Sequence, residues 1–278
     1  MHIFQYSTKS AIGQSGLQTA DGCAIMSRRE VIAMEQTAAL QAMIDRAKRI
    51  VFFGGAGVST ASGIPDFTGE DGLYRRRFGG LTPQMMLSQS FFYLHPDVFY
   101  EFYRGYMLHP EAAPNAAHRK LAQLEQAGKL SGLVTQNIDG LHRKAGSRLV
   151  YELHGSVHEN HCIECGRFFD LKYMLAAQGV PKCPSCGGVI KPGVVLYGEP
   201  LDHYVSTGAC REISRCDLLI VAGTSLTVEP AASMLAYFRG GSRKLVVINR
   251  EETQADERAS LVIRGDIEKV MDAVAINV

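Results

Sequence analysis

Four cysteines form two C-x-x-C pairs, Cys162 with Cys165 and Cys183 with Cys186, separated by 17 residues. Two such pairs with a spacer of roughly 15–20 residues have the spacing of a tetrahedral zinc site. Four thiolates close the coordination sphere and leave no position for water, so one structural Zn2+ is expected. A redox pair is the weaker reading, because both C-x-x-C units lie in one short polar segment. The surrounding stretch is poor in apolar residues and rich in glycine, and a metal supplies folding energy that so thin a core lacks. Cys23, Cys210 and Cys216 show no metal spacing. An odd total of seven cysteines argues against a disulfide framework and for a reducing compartment, read here as the cytoplasm.

Three further places carry chemistry-bearing residues. His154 ends the apolar run VYEL and precedes Gly155. It reads either as a structural histidine or as a general base, since neutral imidazole suits proton removal from a ribose hydroxyl near pH 7. TQNIDGLH (Thr135–His142) follows the end of another apolar run. Its Gln136, Asn137 and Asp139 side chains either converge on ribose hydroxyls and a carboxamide, or Asp139 simply caps the next segment. GGAGVSTASGIPDF starts directly after the run IVFF. Gly54, Gly55 and Gly57 permit a tight turn and close approach of backbone amides to a pyrophosphate, with a helix start near Val58 expected to face that anion. The spacing departs from G-x-G-x-x-G, and no acidic residue closes a second strand, which speaks against an ordinary dehydrogenase. The chain runs instead through Pro65, Asp66 and Phe67 into polar sequence that reads as a loop closing over a cofactor.

The elements that must position these residues are apolar runs alternating with helical patterns. The runs are Ile50–Phe53, Gly132–Asn137, Asp217–Gly223 and Lys244–Asn249; helical spacing covers Glu35–Arg49, His118–Ala127 and Pro230–Phe238. Such alternation predicts a parallel sheet covered on both faces. Two segments break it: Leu81–Met107, rich in Phe, Tyr, Met and Leu, reads as a helical insert, and Val157–Lys191 contains the cysteines. At 46% hydrophobic and 21% charged, the 278 residues suffice for a substantial core. The 29 basic residues nearly cancel the 28 acidic ones, so nucleic acid is not expected as a partner. The cluster Arg75, Arg76 and Arg77 reads as a solvated loop. No run reaches the roughly 20 apolar residues that span a bilayer, and no secretory signal is evident, so no membrane partner is expected.

Taken in order, GAGVSTASGIPDF (Gly55–Phe67), TQNID, LHG around His154, the cysteine module, VVLYGE (Val194–Glu199), GTSL (Gly223–Leu226) and VIN (Val247–Asn249) resemble the sirtuin family over residues 35–278. The resemblance implies an α/β fold. A Rossmann-like core over residues 35–67, 116–156 and 194–278 would carry a small domain, built from a helical insert at 68–115 and a zinc module at 157–193. Residues 1–34 are left as a flexible extension. The implied activity is NAD-dependent removal of acetyl or other acyl groups from lysine, releasing nicotinamide, O-acyl-ADP-ribose and free lysine. By motif match, His154 and Asn137 are catalytic. Ala56, Gly57, Thr60, Asp66, Phe67, Gln136, Asn137, Ile138 and Asp139 contact NAD, as do Thr224, Ser225, Asn249, Asp266 and Ile267 on the adenosine side. Val195 and Tyr197 line the acyl-lysine tunnel, on a strand that pairs with the substrate backbone.

Two departures matter. Thr68 stands where the family usually has Arg, which predicts a looser cofactor loop. Tyr103-Arg104-Gly105-Tyr106 lacks the final Arg of the Tyr-x-x-Arg motif carried by the succinyl-preferring branch, which points to a small neutral or fatty acyl group rather than a dicarboxylic one. The alternatives are a mono-ADP-ribosyltransferase using the same cleft and a weakly catalytic NAD-sensing scaffold.

Overall fold

A computed structural model of the chain describes residues 28–67 and 72–277. Thr68 and Cys23 lie outside the described residues, and with Thr68 the expected loosening of the cofactor loop. The first half contains α1 (Arg28–Arg46), β1 (Ile50–Gly54), α2 (Pro83–Met86), α3 (Gln89–Leu94), α4 (Pro96–Tyr106), α5 (Ala116–Gln126) and β2 (Leu130–Thr135). After it come α6 (Leu141–Lys144), β3 (Val150–Glu152), β4 (Asn160–Cys162), β5 (Phe168–Phe169), α7 (Leu171–Ala176) and β6 (Ile190–Lys191). The chain closes with α8 (His203–Arg215), β7 (Leu218–Ala222), β8 (Lys244–Ile248), β9 (Leu261–Ile263) and α9 (Ile267–Asp272).

Six strands form one parallel sheet in the order β3-β2-β1-β7-β8-β9. Because strand side chains alternate between faces, β1 sends Ile50 and Phe52 into one core and Val51 and Phe53 into another. The first core is closed by Leu40 and Ile44 of α1, Leu121 and Leu124 of α5, and Met271 of α9. The second is closed by Ala209 and Ile213 of α8 and by Ala232 and Met234. A third core joins the helical insert to the cysteine module. Phe92, Phe99 and Tyr103 from α3 and α4 pack there with Val157, Phe169 and Met174. The expected fold class therefore holds: a doubly covered parallel sheet with a smaller lobe of insert and cysteine module.

Four expectations need correction. Helix α1 begins at Arg28, not Glu35, and ends at Arg46, not Arg49. The sequence RREVIAME has no helix breaker, and adding turns to a nucleated helix costs little. At the other end the Asp217 carboxylate accepts from the Lys48 and Arg49 amides at 2.9 and 3.0 Å, which draws the chain out of the helix towards β7. No α-helix follows the glycine turn; Ala56–Val58 and Thr60–Ser62 are two single 3-10 turns, stopped by Gly63 at φ +83°. The stretch 230–238 is likewise a 3-10 run, Ala232–Tyr237, rather than an α-helix. Finally, residues 194–197 do not form a strand; they make only isolated bridges, Gly155 to Val194 and Ser88 to Tyr197.

Candidate active site

The strand order reverses between β1 and β7, and in open α/β sheets ligands bind beyond the carboxyl ends of strands at such a point. Here the glycine turn after β1 and the Gly223-Thr224 turn after β7 pack against each other. A Cβ on Gly57 would fall 2.7 Å from the Gly223 Cα, and one on Gly55 would fall 2.7 Å from the Thr224 Cβ. Bare backbone is thus demanded first by turn-on-turn packing. Around these turns opens a cavity of about 870 Å3. Its wall includes Ala56, Gly57, Thr60, Asp66 and Phe67 from the glycine turn; Gln136, Asn137, Ile138 and Asp139 after β2; and His154 after β3. Thr224 and Ser225 after β7, Asn249 after β8, Asp266 and Ile267 at the start of α9, and Val195 and Tyr197 also line it. The structure therefore brings the residues expected to contact NAD, to act in catalysis and to line the acyl-lysine tunnel to one cavity. Arg75, Arg76 and Arg77 are exposed and absent from that wall.

His154 Nδ1 lies 3.0 Å from the Gln136 backbone oxygen. A carbonyl only accepts, so Nδ1 carries the proton and Nε2 is left as the basic nitrogen. Burial lowers the His154 pKa, and the bond to Gln136 partly opposes it. The ring is therefore neutral near pH 7 and its tautomer is set.

Beside it runs a hydrogen-bond network whose two outer members the sequence reading missed. The Ser59 hydroxyl donates to Asp139 Oδ2 at 2.6 Å and accepts from Asn137 Nδ2 at 3.0 Å. His118 Nε2 lies 3.5 Å from the same oxygen, while its Nδ1 accepts from the Asn115 amide at 3.3 Å. Burial, opposed by the Asp139 charge, holds the His118 pKa down at about 4. Neutral His118 thus carries its proton on Nε2, facing Ser59. Asp139 Oδ1 accepts from the Leu141 amide at 2.9 Å. The cap and the pocket were alternative readings of Asp139; the N-cap of α6 is Gly140, not Asp139, and the Asp139 carboxylate, on the cavity wall, accepts from the Leu141 amide with one oxygen and from Ser59 with the other. The signal for His118 was the start of α5, where Asn115 and His118 form a reciprocal capping box.

Across the sheet, Gln136 Nε2 donates to Thr224 Oγ1 at 2.9 Å, tying the β2 end to the β7 turn. Asn249 Nδ2 donates to the Glu251 carbonyl at 3.0 Å. Asp266 accepts from Arg250 and Lys269, which hold its carboxyl below the usual range. The 195–197 segment has its amides committed: Val195 to the His154 carbonyl, Leu196 to Glu199 Oε2 and Tyr197 to the Leu87 carbonyl, each at 2.9 Å. The pairing with a substrate backbone implied by the resemblance would have to use carbonyls here or displace one of these bonds.

The cysteines gather at the tip of a three-stranded antiparallel sheet, β5-β4-β6. Two tight turns present them: the Gly166 amide bonds the Cys162 carbonyl and the Gly187 amide bonds the Cys183 carbonyl, both at 2.9 Å. The four Sγ atoms lie within 4.8 Å of one another, Cys162 to Cys186 at 3.4 Å and Cys165 to Cys183 at 3.7 Å. Sulfurs bound to one zinc at about 2.3 Å sit roughly 3.8 Å apart, so the cage fits that ion. A Cβ on Gly188 would come 2.8 Å from Cys162 Sγ, which explains the bare residue there.

The family model described as Sir2 family matches residues 55–230. An NAD-dependent protein deacetylase of Clostridium perfringens is 51% identical over 236 residues, 84% of this chain and 96% of that protein. A solved Sir2 structure with deacetylated p53 peptide and 3′-O-acetyl ADP ribose superposes with a TM-score of 0.79 at 36% identity, covering 86% of this chain and 96% of the other. A Sir2 enzyme bound to a propionylated peptide gives 0.74 at 36% identity, covering 85% and 95%. A match through three of the six sheet strands and all of the cysteine module, with a relative sharing half its residues over nearly its whole length, leaves one conclusion: this chain belongs to the Sir2, or sirtuin, family.

Proposed function

We propose that the protein is an NAD-dependent lysine deacylase acting on acyl-lysine peptides and proteins, with the active site at the switch point of the parallel sheet. The observation that carries this reading is His154, a neutral imidazole of set tautomer in the same cavity as the Ser59-Asn137-Asp139 network.

NAD serves as a co-substrate. The bond from ribose to nicotinamide breaks as the acyl oxygen bonds the same ribose carbon. A neighbouring ribose hydroxyl then takes the acyl group, water supplies the oxygen that completes the exchange, and nicotinamide, O-acyl-ADP-ribose and lysine leave. The chain's own residues supply position and protons. The glycine turn offers its backbone to phosphate, and Thr224, Ser225 and Asn249 offer polar groups to adenosine. Asp139, held by Ser59 and Leu141, presents an acceptor to the leaving carboxamide, with Asp66 and Ile138 beside it. Asn137 orients ribose and water. His154 Nε2 takes the proton from the ribose hydroxyl that attacks the acyl carbon, and its buried setting keeps it ready to do so. Cys162, Cys165, Cys183 and Cys186 hold zinc as a structural staple with no open position for chemistry. Such thiolate ligands suit a reducing cytoplasm. Among the described residues no helix is long and apolar enough to cross a membrane.

The test is an acetyl-lysine peptide incubated with NAD and read by mass spectrometry. Deacetylated peptide and acetyl-ADP-ribose are expected in equal amounts. ADP-ribose retained on protein, with no deacetylated peptide, would convert the reading to mono-ADP-ribosyl transfer.

A further inference from the structure

One hydrogen bond on the cavity wall joins two side chains whose hydroxyls the chemistry above leaves unused. Tyr74 and Tyr197 both line the cavity, and their hydroxyl oxygens lie 2.6 Å apart. The ring centroids are 6.5 Å apart and tilted by 55°, so the hydroxyls, not stacked faces, carry the contact. Other tyrosine hydroxyls of the smaller lobe end on backbone carbonyls, Tyr100 on Ile190 and Tyr173 on Lys182. Each member of the Tyr74–Tyr197 pair is anchored in a different part of the wall. The Tyr74 amide donates to the Phe67 carbonyl at 2.9 Å, and the Leu73 amide donates to the Asp66 carbonyl at 3.1 Å. The Tyr74 ring also packs on Phe67, with centroids 5.3 Å apart. Tyr74 is thereby tied to Asp66 and Phe67, two residues expected to contact NAD.

Tyr197 is tied to the helical insert instead. Its amide donates to the Leu87 carbonyl and its carbonyl accepts from the Gln89 amide, both at 2.9 Å. With both backbone groups committed, its hydroxyl is held at a fixed place on the wall. Burial pushes the Tyr74 phenol well above its ordinary range, and Tyr197 adds to the rise. Tyr74 therefore stays a neutral hydroxyl through the physiological range, and the pair is insensitive to pH there. Ordering a side chain costs free energy, so a ligand that has already ordered the pair spares the next ligand that cost. An acyl-lysine seated beside Tyr197 restrains its ring; the shared hydrogen bond then restrains Tyr74, and with it Asp66 and Phe67.

We propose that Tyr74 and Tyr197 are a positioning pair whose shared hydrogen bond couples the two substrates, so that acyl-lysine beside Tyr197 tightens NAD binding at Asp66 and Phe67. The inference rests on the deacylase reading above and adds to it two hydroxyls that act on binding rather than on bond breaking. Coupling between sites is reciprocal, so NAD tightens acyl-peptide binding by the same factor. A hydrogen bond between neutral groups is worth roughly two- to twelvefold in an equilibrium, which sets the size of the effect. Phe at either position keeps the ring and its packing and removes the bond alone.

The experiment uses the full chain with zinc bound, an acetyl-lysine peptide and carba-NAD, an analogue whose bond to nicotinamide does not break. Calorimetry gives the Kd of carba-NAD without peptide and with saturating peptide, and the ratio of the two is the coupling factor. Peptide should tighten carba-NAD in the unmodified protein. Tyr74→Phe, Tyr197→Phe and the double variant should each shrink the coupling factor by the same amount, roughly two- to twelvefold. In turnover with NAD, Tyr74→Phe should raise KM for NAD more than it lowers kcat, a split that partial unfolding does not produce. Should one variant misfold, as its zinc content and melting temperature will reveal, the other breaks the same bond and decides. A coupling factor of one in the unmodified protein, no change in a folded single variant, or losses that add in the double variant overturns the pair and leaves the deacylase reading standing. No deacetylated peptide from NAD and the unmodified protein overturns both.

Discussion

In β1 and β7 every residue is buried, and each strand pairs with neighbours on both sides. The strands of the cysteine module are only two or three residues long and leave His161 and Phe168 exposed. One region is held by apolar area and ladder hydrogen bonds, the other by short strands, a core shared with the helical insert and a cage of four sulfurs that fits zinc. The difference explains how labour is divided across the cavity. The residues proposed for proton transfer and substrate positioning, His154, Asn137 and Asp139, follow the ends of β2 and β3, where the sheet fixes the backbone. Val157 and Leu171, which line the same cavity, sit instead on the cysteine module.

The largest separation between the two regions should come from removing the metal. Structural zinc binding is worth on the order of 10 kcal/mol to a small module. Cys165→Ala or exhaustive chelation should therefore abolish zinc binding, loosen 157–193 and stop turnover, while amides of β1, β2 and β7 remain slow in hydrogen exchange. Equal loss of protection in sheet and module would show that the two regions are one cooperative unit, and the contrast drawn above would fail.

His154→Ala perturbs the other side. It should lower kcat by about 100- to 10,000-fold, the usual range for a general base, with zinc content and melting temperature nearly unchanged. Near-normal turnover, or a loss of zinc, would sink the division of roles.

The smallest effect is on stability against pH, and it belongs to the sheet side. His118 and His142 are both buried, with ring centroids 4.6 Å apart. His118 falls from an ordinary value near 6.5 to about 4, chiefly through burial, and His142 falls well below 6.5 for the same reason. Below pH 6.5 the unfolded chain binds protons at these rings and the folded chain does not. Stability should therefore be full above pH 6.5 and fall as pH drops towards 4. His142→Phe should flatten that slope in a urea series; an unchanged slope would place the acid sensitivity elsewhere.

Much of this was legible in the residues. The cysteine spacing specified a metal cage without any geometry, because two C-x-x-C turns leave few other uses for four thiols. Buried apolar runs separated by helical patterns specified a doubly covered parallel sheet, because side-chain period and burial are local properties of a strand. Ordered motifs selected the residues that meet at the cavity. Less visible was why Gly55 and Gly57 are bare. Read alone they suggested a phosphate turn opening a helix, whereas in three dimensions they also make room for Gly223 and Thr224, more than 160 positions away.

Ser59 and His118 were missed for the same reason. A serine inside a glycine turn and a histidine in the first turn of α5 have nothing in their neighbours' spacing to connect them. Folding brings His118 to the Ser59 hydroxyl and Ser59 to Asp139, and only then does the chain of donors and acceptors exist. The sequence by itself determined the kinds of element, the metal cage and the inventory of reactive groups, since these depend on residue type and short spacing. Tertiary structure alone decided the proton on His154, the two partners of the Asp139 carboxylate and the link from His118 to Ser59. Each of those depends on which distant atoms share a low-dielectric interior, and that is a property of packing, not of order along the chain.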